Sequence, residues 1–207
     1  ILRPGTIVYV TFLPGSDFNA TVETVSRLKR EGFYPIPHFA ARSIESEKIL
    51  EEGLERLKEE ADTTEALLIG GGVDNPLGPF SASIEVLRTG LFDKYGFKKI
   101  GVAGHPEGSP DITPQECAQA IREKNDFSCH TDADLYLATQ FLFEAEPLFK
   151  WEKAIRSQGN KLPIHVGIPG LATIPTLMRH ARQCGVGPSV RFLKKNPIDL
   201  FKISLSN

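Results

Sequence analysis

"KKIGVAGHPEGSP", residues 98 to 110, is an apolar run that stops at His105 and Glu107 and carries prolines at 106 and 110. Shortly after it comes Thr113-Pro114-Gln115-Glu116. Thr suits a helix N-cap, Pro the first helical position, and Glu three residues on can reach back to the cap. The stretch therefore reads as a buried strand, a stiffened polar turn and a helix start.

The same unit recurs in both directions. "TIVYVTF" (6 to 12), "FYPIPHF" (33 to 39), "ALLIGGG" (66 to 72), "LYLATQFLF" (135 to 143) and "PIHVGIPG" (163 to 170) are further β-rich segments. From Ile7 through Tyr34, Leu67, Ile100, Leu135 and Ile164 the steps are 27, 33, 33, 35 and 29 residues. That spacing matches the ~30-residue βαβ unit. Between the strands, Val22, Val25 and Leu28 share a helical face that ends at Gly32. A second helix, opened by Ser43, carries Ile49, Leu50, Leu54 and Leu57, and a third runs through Ile84, Leu87 and Leu91. Two more are expected near 147 to 158 (Leu148, Trp151, Ile155) and 175 to 184 (Leu177, His180, Ala181).

Strands that are apolar nearly throughout and alternate with helices imply a parallel sheet covered by helices. "FLPGSDFNA" lacks the G-x-G-x-x-G that opens a dinucleotide-binding open sheet. Polar groups instead follow many strands: Thr11, His38, the glycines at 70 to 72 with Asp74, His105 with Glu107, Gln140, and the Gly167 to Gly170 turn. Every strand of a (β/α)₈ TIM-type barrel ends at one catalytic face, so this distribution selects the barrel. Six strands are visible where eight close the barrel. The expectation is one barrel domain over residues 1–207, short of its first strand and of a clear counterpart for its last.

The chain has 207 residues, 41% of them hydrophobic, and 24 basic against 26 acidic side chains. That supports one well-buried core and gives no basic field for a nucleic-acid backbone. No apolar run reaches the roughly 20 residues of a membrane span. Cys117, Cys129 and Cys184 are widely spaced and form no CxxC pair, so a reducing cytoplasm is the expected setting. No metal site is expected, because only His105 and Glu107 lie close together as ligands.

Individual residues carry bland readings beside functional ones. "IGGGVDNPLGPF" (69 to 80) lets backbone amides approach a flat ring or a phosphate, or is a turn with a helix-capping Asp. His38 faces a bound group or is merely packed. Gln140, an amide in an apolar strand, needs a polar neighbour or a ligand. His130, His165 and His180 suit core or surface roles better than catalysis.

In order, "VTF", "PHF", "GGVDNPLG", "VAGHPEGSP", "REK", "TQFLF" and "IPG" resemble the strand-end segments of the methylenetetrahydrofolate reductase family. The resemblance implies a (β/α)₈ barrel holding FAD noncovalently. It further implies hydride transfer between FAD and the methylene carbon of 5,10-methylenetetrahydrofolate, giving 5-methyltetrahydrofolate for one-carbon metabolism and methionine biosynthesis. NADH or NADPH would be the reductant, and a homo-oligomer is within the expectation. Asp74 and Gln140 would be catalytic, Asp74 near the flavin and the folate, Gln140 on the pterin. Thr11, His38, Gly72, His105, Glu107 and Lys124 would bind the cofactor. The chain departs from the family at two matched positions: Gly-Gly-Val-Asp stands where the family has Arg-Gly-Asp, and His105 where it has Tyr. The family's proton donor, a Glu ending the first barrel strand, is expected upstream of Ile1. Two alternatives compete: a non-catalytic or subunit-dependent barrel of the same family without FAD, and a barrel lyase or aldolase for a phosphorylated small molecule.

Overall fold

Six parallel strands alternate with helices along the chain, in the order the apolar spacing predicts. The computed structural model describes residues 2–12, 15–170 and 175–176. The strands are β1 (Ile7–Val10), β2 (Tyr34–Ala40), β3 (Glu65–Ile69), β4 (Lys99–Gly104), β5 (Asp134–Phe141) and β6 (Ile164–Gly167). The helices are α1 (Phe18–Arg30), α2 (Glu47–Ala61), α3 (Ser83–Leu87), α4 (Leu91–Lys94), α5 (Pro114–Phe127) and α6 (Ala145–Ser157). This is the βα order of a (β/α)₈ barrel, with six of its strands described. Two compact units are distinguished: the described part of Ile1–Ala103 with Asp126–Tyr136, and Gly104–Asn125 with the described chain from Leu137.

In the first unit β1 pairs with β2, β2 with β3 and β3 with β4, all parallel. Asp134 N–H extends the order by donating to Lys98 O at 2.9 Å. Along each strand alternate residues face opposite ways. Phe39, Leu68 and Val102 are buried, as are Val22 and Val25 of α1 and Leu50, Leu54 and Leu57 of α2. Phe18, Phe39, Phe92 and Phe97 form a chain of ring contacts with centroids 5.0 to 5.3 Å apart. Helix α1 ends as Gly32 predicts: Phe33 N–H donates to Leu28 O and Gly32 N–H to Lys29 O, each at 3.0 Å, with Gly32 at φ 84°.

Two helix boundaries differ from the sequence expectation. Helix α2 is opened by Ser46, not Ser43: the Ser46 hydroxyl accepts from Ile49 N–H at 3.2 Å, while Ala41–Ser43 form a 3-10 turn. Ile49 lies outside the buried stripe of Leu50, Leu54 and Leu57 and is 40% exposed. The third helix is two short ones. Thr89 separates them because its hydroxyl donates to Val86 O at 2.7 Å and accepts from Leu91 N–H at 3.3 Å, bonds that compete with the helical ladder. Ile84, Leu87 and Leu91 are nevertheless all buried.

The other sheet face of this unit carries a polar cluster that sequence patterning did not show. Tyr9 and Tyr136 hydroxyls lie 3.1 Å apart. Tyr136 lies over Gly101, where an added Cβ would be 2.6 Å from Tyr136 Cζ and 2.7 Å from Leu67 Cδ1. Buried Glu65 pairs with Lys99 at 3.3 Å, and the Lys99 ammonium sits 4.9 Å from the Tyr136 ring centre. Burial, followed by the hydrogen bond with Tyr9, pushes the Tyr136 phenol up.

In the second unit β5 pairs with β6 in parallel, with an irregularity between Ala138 and Phe141. Ile121, Leu137, Leu142, Ile155 and Leu162 form its buried apolar groups. The expected start of α5 is present in full: Glu116 N–H donates to Thr113 Oγ1 at 3.3 Å, and Thr113 N–H donates to Glu116 Oε2 at 2.7 Å. An added Cβ at Gly104 would meet the Trp151 ring at 2.9 Å, so the second glycine of "GVAG" makes room for α6. Of the helix expected at 175 to 184, Pro175 and Thr176 are helical; Leu177, His180 and Ala181, like Cys184, lie outside the described residues. No described helix is long and apolar enough to cross a membrane.

Candidate functional site

Parallel strands place the side chains that follow them at one end of the sheet, so strand ends decide what can converge there. In the first unit Thr11 stands one residue past β1, His38 lies in the last three residues of β2, and Gly72 and Asp74 lie in the turn after β3. Thr11, Gly72 and Asp74 are exposed. His38 is largely enclosed, and its Nε2 is buried with no hydrogen-bond partner among the described residues. The Tyr9 ring meets the imidazole edge-on at 5.6 Å. Burial lowers the His38 pKa to about 4, so the ring is neutral at pH 7.

In the second unit the residues after β4 form the turn that "HPEG" predicts. Gly108 N–H donates to His105 O at 3.1 Å, with Pro106 and Glu107 at its two central positions. Proline fixes φ at the first of these and holds the loop's path. His105 follows β4 directly, Gln140 lies near the end of β5, and Lys124 is carried on α5. The structure brings His105 and Gln140 into hydrogen-bond contact and sets Lys124 close enough to act on the imidazole.

The electrostatics follow from enclosure. Burial, then the Lys124 charge, lowers the His105 pKa to about 4, against a smaller opposing effect of the Gln140 bond. His105 Nδ1 is buried with no hydrogen-bond partner among the described residues. Lys124 is 5% exposed, and burial lowers its pKa to about 8, opposed by Cys117 and Glu123. Burial in turn pushes the Cys117 thiol up. A buried ammonium beside a neutral ring suits an anionic or electron-rich flat ligand. Glu107 lies half-buried in its turn.

A family profile described as methylenetetrahydrofolate reductase matches residues 81–198, more than half of the chain. The chain belongs to the methylenetetrahydrofolate reductase family. One curated relative is "Methylenetetrahydrofolate reductase 1" of Schizosaccharomyces pombe, 31% identical over 104 residues, which is 50% of this chain and 16% of the yeast protein. The segment matched to the methylenetetrahydrofolate reductase family includes His105, Glu107, Lys124 and Gln140 and begins after Thr11, His38, Gly72 and Asp74.

Sequence reasoning did not single out Arg42. It follows the "PHFAA" strand end, and its backbone and side chain both bond to the segment between β3 and α3. A cation four residues past His38 is a weak signal by itself, because nothing local says that it meets the next strand's loop. Glu65 was also missed, although an acid within the otherwise apolar "EALLI" is a readable sign of a buried partner.

Proposed function

We propose that this protein is a flavoenzyme of folate one-carbon chemistry, transferring a hydride between FAD and the methylene carbon of 5,10-methylenetetrahydrofolate. The observation that carries the reading is that His38 and His105 are partly enclosed, neutral imidazoles, each with one buried ring nitrogen that no described group satisfies. Burying a polar atom without a partner costs roughly 1–3 kcal/mol, so such atoms mark where a ligand belongs. The open glycines fit a flat cofactor too: an added Cβ at Gly70 or Gly72 would meet nothing within 4 Å.

In this reading bound FAD supplies the redox chemistry, and the chain supplies orientation and charge. The residues that would contact the flavin are Thr11, His38 and Gly72 in the first unit and His105 in the second. Neutral rings can stack and hydrogen-bond without adding a positive charge that would raise its potential. Lys124, charged below about pH 8, offers its ammonium to the phosphate tail. Glu107 binds cofactor hydroxyls. Gln140, oriented by its bond with His105, hydrogen-bonds the pterin, and Asp74 favours cationic character in the folate. NADH or NADPH would be the reductant.

The visible spectrum of the purified full-length protein tests this. The expected result is a flavin absorption that bleaches with NAD(P)H or 5-methyltetrahydrofolate. A colourless protein that takes up no flavin when FAD is added sinks the proposal.

A further inference from the structure

The loop after β3, residues 70 to 77, contains no Arg or Lys, yet both its ends bond to an arginine from the segment after β2. Arg42 N–H donates to Gly70 O at 2.9 Å, and Leu77 N–H donates to Arg42 O at 2.8 Å. These two backbone bonds hold the start and the end of the 70 to 77 loop against a single residue. The ideal Cβ position of Gly71 is 3.2 Å from Ala40 Cβ and 3.8 Å from Arg42 Cβ, and φ at Gly71 is 92°. A side chain at Gly71 would thus be strained and crowded, and its absence lets the loop close on Arg42.

The side chain is anchored at one nitrogen only. Arg42 Nε donates to Ser81 O at 3.0 Å. Its Nη1 and Nη2 make no hydrogen bond or ion pair among the described residues. Glu85, in α3 just beyond that segment, is engaged elsewhere, its Oε2 accepting from Ser81 N–H at 2.6 Å and Ala82 N–H at 3.2 Å. The amides of Gly71, Gly72, Val73, Asp74 and Asn75 donate to no protein group among the described residues. A guanidinium pinned at Nε, on a residue whose backbone holds both ends of a glycine turn with amides left without a described acceptor, matches the tetrahedral oxygens of a phosphoryl group.

We infer that Arg42 is a further cation of this chain, besides Lys124, that binds a phosphoryl group of the dinucleotide cofactor, delivered from the loop after β2 where the turn after β3 has none. The assignment rests on the flavin reading above. FAD and riboflavin share the ring system but only FAD carries the diphosphate, so their affinities separate the two ideas. By titration of the apoprotein, Arg42→Ala should weaken FAD by about tenfold or more and leave riboflavin within about twofold, because a charge-assisted fork is lost while the ring contacts remain. Arg42→Lys should recover only part of the loss, since an ammonium keeps the charge without the planar fork. Both backbone bonds of residue 42 survive either substitution, and thermal unfolding checks that the variants fold.

Wild-type protein that binds neither FAD nor riboflavin overturns the flavin reading, and the Arg42 assignment with it. Wild-type protein that binds FAD while Arg42→Ala binds it equally well overturns the Arg42 assignment alone. A loss of NADPH or folate affinity with unchanged FAD affinity overturns it as well, by giving Arg42 another ligand.

Discussion

At the scale of single residues, Gln140 and Arg42 mark what one sequence can and cannot disclose. Gln140 was legible because an amide near the end of an apolar strand needs a partner, and it has one in His105. In the proposed site its function is to read the pterin, so Gln140→Ala should weaken folate binding roughly tenfold, the scale of a lost buried hydrogen bond, and leave flavin binding nearly unchanged. Titrations of the reduced protein with 5-methyltetrahydrofolate, alongside flavin titrations of the apoprotein, measure the two separately. Equal folate affinity in mutant and wild type removes Gln140 from the pterin. Arg42 was not legible, because its meaning lies in the loop it meets, and that loop begins 28 residues later at Gly70.

Elements were legible where local chemistry alone decides them. The α5 start needs only Thr113, Pro114 and Glu116, and all three act as their order predicts. Thr113→Ala removes the hydroxyl that accepts from Glu116 N–H, which should cost about 1 kcal/mol. For a chain of this size that lowers the melting temperature by roughly 2 to 4 °C. Calorimetry of the two proteins measures it, and an unchanged transition would mean that α5 frays independently of the cooperative unit. Helix α2 shows the opposite case: Ser43 and Ser46 are both good caps, and only the 3-10 turn after β2 decides for Ser46. The break at Thr89 was likewise hidden, because the apolar spacing of Ile84, Leu87 and Leu91 fits one helix or two short ones.

At the scale of the whole molecule, the barrel class was legible because parallel strands buried on both faces leave long apolar runs at regular spacing. The cluster of Glu65, Lys99, Tyr136 and Tyr9 was not, since its members come from four strands and meet only across the sheet face. The buried imidazoles make a global prediction. Folding lowers the pKa of His38 and of His105 from 6.5 to about 4, so between those values the unfolded chain binds more protons than the folded one. Stability therefore falls as pH drops from about 6.5 toward 4, by on the order of 2 to 3 kcal/mol for each ring, and is fully present above about 6.5. Carboxylates such as Asp17, Asp62 and Glu116, held below their ordinary pKa by hydrogen bonds at the surface, lose their contribution only at lower pH. The interval from pH 6.5 to 4.5 is thus governed by imidazoles. Urea unfolding across it should show a steep loss in the wild type and a shallower one in His38→Asn and His105→Asn, with the two variants flattening the curve by similar amounts. A wild-type curve that is level over this interval would mean that both rings are open to water, and the argument that they await a ligand would go with it.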